Sequence, residues 1–360
     1  MANLLNKEKI KTYSIYRNHT YIRSKKIRNK LKGNKILLPK RLNYSQELLL
    51  ILFLIREILL IFFSNKYVTI KKFIKVTDIF SIVSNLRLIF QLDVLIKLYK
   101  PKMVIFTWEG HAWERLLSSL CNNYENKIHT LASQFSIIKK NQIGFFTKLK
   151  KEYNPDYLSY TGKIPGRIIK KKIKFSKLIK LGSSKFIEKK IVNYRKKNDL
   201  LVALDTDKQN LFGLLNFCKN FALNNLNYNF VLRVHPILLT NKKLIKYINK
   251  NIYKINNIKI SSSSLIKDLK TSRYVIYTDS TISISGINYG AIPLFFKNIN
   301  NSNFFDKKFP KKNIITTYSD LKKILLQKND KKMSSYFINY RDNYFEKFQI
   351  QNLKKIIKQI

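Results

Sequence analysis

The sequence predicts an α/β protein of two doubly wound domains facing each other across a cleft. Three observations carry that expectation. The chain has 360 residues, beyond the size at which a single core usually keeps growing. Its hydrophobic fraction of 45%, with 13% aromatics, supplies two cores. From residue 85 onward, short runs rich in Val, Ile, Tyr and Phe alternate with helical patterns, as βαβ units on parallel sheets require.

The elements follow in order. Residues 48–63 (LLLILFLIREILLIFF) are apolar but cut in two by Arg56 and Glu57. A bilayer span takes about 20 mostly apolar residues and disfavours central charges, so the segment reads as a buried helix. Residues 85–100 read as a helix that Pro101 ends, before the strand MVIFT at 103–107. Weaker strands fall at 127–133, at YLSYTG after Pro155-Asp156, and at 177–182 (KLIKLG). The charged stretch 188–198 has no apolar period and reads as a linker. Domains are therefore expected at 1–194 and 195–360. In the second, LLVALD (200–205) is a strand, and Leu211, Leu214, Leu215, Cys218 and Ala222 form a helical stripe. Further strands are expected at 230–235 (FVLRVH), 258–261 and 273–278 (RYVIYT). The run 279–296 reads as cap, helix, Gly290 at the helix end and a last strand. A helix at 319–325 and an amphipathic tail at 336–360 close the chain. Both halves are Rossmann-like on this pattern.

The formal charge is +49. Lys, Ile and Asn are abundant together, and a bias toward A and T in the coding DNA accounts for much of that excess. The clusters at 17–32 and 167–174 remain, and they fit a surface facing anionic lipid or a phosphorylated ligand. Cys121 and Cys218 lack paired or metal-ligand spacing, and the amino terminus lacks the apolar region of a signal peptide. The expected location is cytoplasmic, with peripheral attachment to the inner face of the membrane. No nucleic-acid module is legible, and no specific nucleic-acid partner is expected. Phosphate-loop, nucleophile-elbow and paired-acid metal motifs are absent from the sequence, so neither a cofactor nor a metal site is expected.

Open α/β sheets bind ligands outside the carboxyl ends of their strands, which selects the candidate residues. Arg233, His235 and Pro236 close one strand of the second domain, and Asp279, Ser280 and Thr281 join another to its helix. An arginine and a histidine suit a phosphate, and hydroxyls with backbone N–H groups at a helix start form an anion site. The same residue types also serve as ordinary caps. In the first domain, Trp108-Glu109-Gly110-His111 falls at the end of MVIFT. Glu109 is the preferred general base, with His111 and Glu114 as reserves. Trp113 shares a helical stripe with Leu116, Leu117 and Leu120 and reads as a core anchor.

The blocks PDYLSYTG, KLIKLGSS, LLVALD, VLRVHP and above all RYVIYTDSTISISGINYGAIPLFF resemble those of bacterial surface-carbohydrate glycosyltransferases of the GT-B fold. The resemblance implies a nucleotide-sugar donor in the second domain and a glycan or glycolipid acceptor in capsule or lipopolysaccharide assembly. Many members that use UDP- or GDP-sugars carry a ribose-binding Glu where this chain has Ser285. His235-Pro236 followed by Ser280-Thr281 resembles sialyltransferases and Kdo transferases, which implies a CMP-sugar, and a related His-Pro occurs in CDP-glycerol-type polymer transferases. Their acidic-acidic-Gly motif matches here only in Glu109-Gly110. An inverting transfer without a metal ion is the expected reaction. Two alternatives stand beside it, a nucleotide-sugar epimerase of the same fold and a non-catalytic protein binding nucleic acid or anionic membrane.

Overall fold

The computed structural model describes residues 5–6, 8–17, 33–63, 79–138, 142–186, 197–278, 280–297, 309–327 and 331–360. Strand β1 (Ser14–Tyr16) pairs in parallel with β2 (Lys35–Leu37), and helices α1 (Tyr44–Phe63) and α2 (Ile79–Tyr99) follow. Pro101 stops α2 as expected, although the helix starts before residue 85. The expectation of a buried helix at 48–63 is overturned. Leu50 is enclosed, but Leu48 is 58% exposed and Leu52 53%. The helix meets the protein along the face of Glu47 and Leu50, where Glu47 makes a two-pronged ion pair with Arg87 of α2 at 2.8 and 2.7 Å.

The first sheet consists of β3 (Met103–Thr107), β4 (His129–Ser133), β5 (Tyr157–Tyr160) and β6 (Lys177–Lys180), all parallel and adjacent in chain order. Helices α3 (Ala112–Asn122), α4 (Ile143–Phe146) and α5 (Lys163–Lys172) connect them. Right-handed crossovers between strands in sequential order put every connecting helix on one face. That face carries Phe106, which packs with Leu88, Leu92, Leu117 and Ile169. Met103 and Ile105 point to the other face and need a different cover.

The second sheet is built from β7 (Lys197–Ala203), β8 (Asn229–Arg233), β9 (Ile258–Ile260), β10 (Ser272–Tyr277), β11 (Ile292–Phe296) and β12 (Ile314–Ile315). Its order is β12-β11-β10-β7-β8-β9, parallel throughout. The direction of winding reverses between β7 and β10, so helices reach both faces. Helices α6 (Lys208–Leu223), α7 (Lys242–Asn251) and α10 (Tyr318–Leu326) cover one with Leu214, Leu244 and Leu321. Helices α8 (Leu265–Thr271), α9 (Ile282–Ile287) and α11 (Lys331–Tyr344) cover the other with Leu269, Ile284 and Phe337.

The expected division at 194/195 lies outside the described residues. The amphipathic tail is two helices, and the second, α12 (Ile350–Gln359), supplies the cover that the first sheet lacks. Leu353 and Ile357 pack with Met103, Ile105, Leu131 and Ile179. The returning segment is tied down by Glu346 N–H to Thr161 O at 2.8 Å and Gln349 N–H to Leu181 O at 2.7 Å. Two glycines make the approach possible. A Cβ on Gly162 would stand 2.6 Å from the carbonyl oxygens of Asn343 and Tyr344, and one on Gly182, whose φ is 73°, would stand 2.2 Å from that of Lys347.

Candidate active site at the cleft

The carboxyl ends of the two sheets face each other. Ile137, four residues past β4, sits in the same core as Ala203 and Tyr277, the last residues of β7 and β10. The backbone N–H of Ile138 donates to the hydroxyl of Tyr344 at 2.8 Å.

On the first side, the chain turns sharply after β3. Gly110 has φ of 82°, and a Cβ there would meet the backbone of Gly144 at 2.0 Å, so the turn is pressed against α4. The carboxylate of Glu114 anchors it from below, accepting the N–H groups of Glu109 at 2.9 Å, Gly110 at 2.7 Å and His111 at 2.9 Å. Glu114 is fully buried, and burial pushes its carboxyl up while the three amide donors pull it back. Its geometry is that of a positioning residue, wholly occupied by backbone.

Glu109 and His111 emerge from this turn as a pair, with Oε2 of Glu109 2.9 Å from Nε2 of His111. The hydrogen bond to Glu109, more than the surrounding charges, holds the imidazole above its ordinary pKa. Lys185, from the loop after β6, adds a half-buried cation whose pKa is lowered by burial and supported by the charge of Glu109. Its ammonium donates to Phe135 O at 2.9 Å and lies over the Phe135 and Phe345 rings. In a chain with 70 Lys and Arg, nothing in the sequence distinguishes this one.

Both tryptophans pack against the first core, Trp113 as expected, and Trp108 more deeply. Trp108 is fully buried, edge-on to Phe145 at 6.5 Å, with the Arg115 guanidinium 4.4 Å from its ring. Trp113 is half-buried, and with Ser84, Asn85, His111 and Ala112 it lines a depression of about 490 Å³. Helical stripe logic accounts for the contact of Trp113 with the core, and Trp108 continues the alternation of Val104 and Phe106 onto the same face.

On the second side, the crevice opens between β7 and β10. Asp205, two residues past β7, accepts a hydrogen bond from the hydroxyl of the buried Thr278 at 3.2 Å across this gap. The sequence reading enclosed Asp205 in its strand and missed it; its place at the end of the first strand of the second sheet is the signal that finds it. Ser280 accepts the Ile282 N–H through its Oγ at 3.3 Å, and its carbonyl accepts the Ser283 hydroxyl at 2.8 Å. Thr281 caps α9 without a side-chain bond. Asp279 lies outside the described residues.

The strand end at β8 divides its two candidates. Arg233 is engaged, with Nη1 donating to Asp268 Oδ2 at 2.7 Å and to Ser263 O at 3.0 Å. It pins α8 to the sheet and meets the buried Asp268 charge. His235 is exposed, and its Nδ1 accepts the Ile237 N–H at 3.3 Å in the turn that Pro236 begins. With Nδ1 as acceptor, a neutral imidazole carries its proton on Nε2, a donor directed away from its own backbone. Among the described residues, no group of three or more His, Cys, Asp or Glu is placed to hold a metal ion.

No protein-family model matches the sequence, and no curated protein matches it. Solved structures do resemble the fold. A glycotransferase of kitacinnamycin aligns at 9% identity with a TM-score of 0.54, over 95% of this chain and 89% of that one. MnaA of S. aureus, solved with UDP, aligns at 12% identity and 0.54, over 76% and 78%. A protein assigned as a UDP-N-acetylglucosamine 2-epimerase from Listeria monocytogenes aligns at 11% identity and 0.52, over 73% and 74%. At these identities the likeness is one of architecture, and that architecture is GT-B, two α/β units with the carboxyl ends of their sheets opposed.

Proposed function

We propose that this chain is a glycosyltransferase moving a sugar from a nucleotide-activated donor to a glycan or glycolipid acceptor in surface-polysaccharide assembly at a membrane face. The observation that carries the reading is the Glu109–His111 pair, held by Glu114 on the turn after β3, in a chain whose second sheet has its crevice between β7 and β10. Glu109 takes the proton of an acceptor hydroxyl. That oxygen attacks the anomeric carbon of the donor, and the bond from this carbon to the phosphate oxygen breaks on the opposite side, inverting the centre without a metal ion. The His235 Nε2–H and the hydroxyls of Ser280 and Thr281 meet the charge on the departing phosphate. The His235-Pro236 and Ser280-Thr281 blocks, with Ser285 in α9, favour a CMP-sugar as donor.

Glu109→Gln and His235→Ala are each expected to lower transfer about 100-fold or more. Full activity in both overturns the assignment. Incubation with UDP-N-acetylglucosamine and no acceptor separates the epimerase alternative, because only an epimerase turns over alone. Among CMP, CDP, UDP and GDP, CMP is expected to raise the melting temperature most, since a ligand that binds the folded state stabilises it.

A further inference from the structure

Helix α1 presents a broad apolar surface to solvent. Leu48, Leu49, Ile51, Leu52, Phe53, Ile55, Leu59 and Leu60 are all exposed, while Leu50 is the enclosed one. At about 100° per residue, the exposed positions cover roughly 200° of the helix circumference. A helix that is apolar over most of its circumference belongs in a core or in lipid. We infer that α1 lies in the plane of an anionic bilayer and embeds this surface among the acyl chains at the headgroup boundary.

Three observations favour lipid as the occupant. Packing against one helix of a second copy covers a narrower stripe than the exposed arc, whereas acyl chains wrap the whole of it. Charge is complementary, since Lys40 and Arg41 are exposed just before the helix, Arg56 is exposed within it, and the chain carries +49. An arginine on such a face reaches the headgroup phosphates with its stem in the apolar layer. No helix of the described residues is long and apolar enough to cross a membrane, which leaves the in-plane arrangement. Helix α2 also carries both the partner of α1, Arg87, and two residues of the depression beside His111, Ser84 and Asn85. A lipid-borne acceptor at the bilayer surface is therefore one helix away from the proposed base. This deepens the proposed function by naming how the enzyme meets its membrane, but its test reads binding alone, so a failed transfer assay leaves it standing and the reverse holds too.

The test is flotation of the full chain with phosphatidylcholine vesicles, with and without phosphatidylglycerol, at low and high salt. The expected result is binding to the anionic vesicles that persists at high salt, because apolar insertion is not screened. Leu52→Glu with Leu59→Glu is expected to weaken it at least about tenfold, while Lys242→Glu with Lys246→Glu on α7 leaves it within about twofold. Loss of all binding at high salt, or equal binding by the two variants, overturns the proposal in favour of general attraction by a basic chain. Two further outcomes overturn it. If the leucine variant changes a dimer to a monomer in sedimentation, a second copy occupies the face; if it lowers the melting temperature by several degrees without vesicles, the chain covers the face itself.

Discussion

A single turn concentrates the chemistry proposed for the first unit. Gly110 supplies the φ of 82°, Glu114 fixes the amides, and Glu109 and His111 are delivered as a pair. Their coupling is measurable without any substrate. The folded pKa of His111 is raised, chiefly by the hydrogen bond to Glu109. A raised histidine contributes stability below its unfolded pKa, and that contribution is lost as pH rises through the folded value. The wild-type advantage in melting temperature over Glu109→Gln should therefore be largest in the acid range below the ordinary histidine value of about 6.5 and shrink as pH rises above it. The effect is small because the imidazole is 58% exposed. A difference that stays constant across that window would separate the two residues. Sequence alone picked out this stretch because acids and tryptophans are rare in the chain, but not the division of labour. That His111 pairs with Glu109 while Glu114 faces the backbone depends on the turn, which one glycine pressed against another decides.

At the level of elements, caps were read only in part: α7 and α8 were not expected although Asn241 and Ser264 cap them. Helix α10 was expected from its apolar pattern, and its cap is local: Thr317 accepts the Asp320 N–H at 3.2 Å, and Asp320 returns to Thr316 and Thr317. The Thr316 hydroxyl, foremost among these donors, brings the Asp320 carboxyl down to about 2. Thr317→Ala should cost about 1 kcal/mol in denaturant unfolding, and no loss would show that this helix end is held by packing alone. The first turns of α2 were missed although Thr77 and Asp78, residue types that cap helices, stand directly before Ile79 in the sequence. Helix α1 was misread for another reason. Apolar composition says that a surface leaves water but not what it enters, and only the exposed arc shows that the protein itself does not enclose it. The ion pair of Arg233 was not legible because its partner, Asp268, lies 35 positions away on α8.

Across the whole molecule, the sequence predicted two α/β units but not how they are joined. The blocks YTG and LGSS read as family motifs, yet Gly162 and Gly182 act as the floor on which the returning chain lies. Asn352 reaches Lys180 O at 2.9 Å over 172 positions, and no local pattern encodes such a contact. The first sheet is therefore incomplete without the last helix, because its sequential strand order leaves one apolar face without connecting helices. Leu353 is fully buried on that face, and Leu353→Asp places an unpaired carboxylate there, at a cost of several kcal/mol. The expected calorimetric trace has two transitions, with the earlier assigned to the first sheet and the second sheet melting near its wild-type temperature. Nucleotide should still raise the later transition, since its proposed site lies in the second unit, while transfer is lost because Glu346 no longer holds Thr161 and Lys163 at the cleft edge. A single transition lowered as a whole, with nucleotide stabilisation lost in proportion, would instead mean that the returning helix makes the two sheets one cooperative unit.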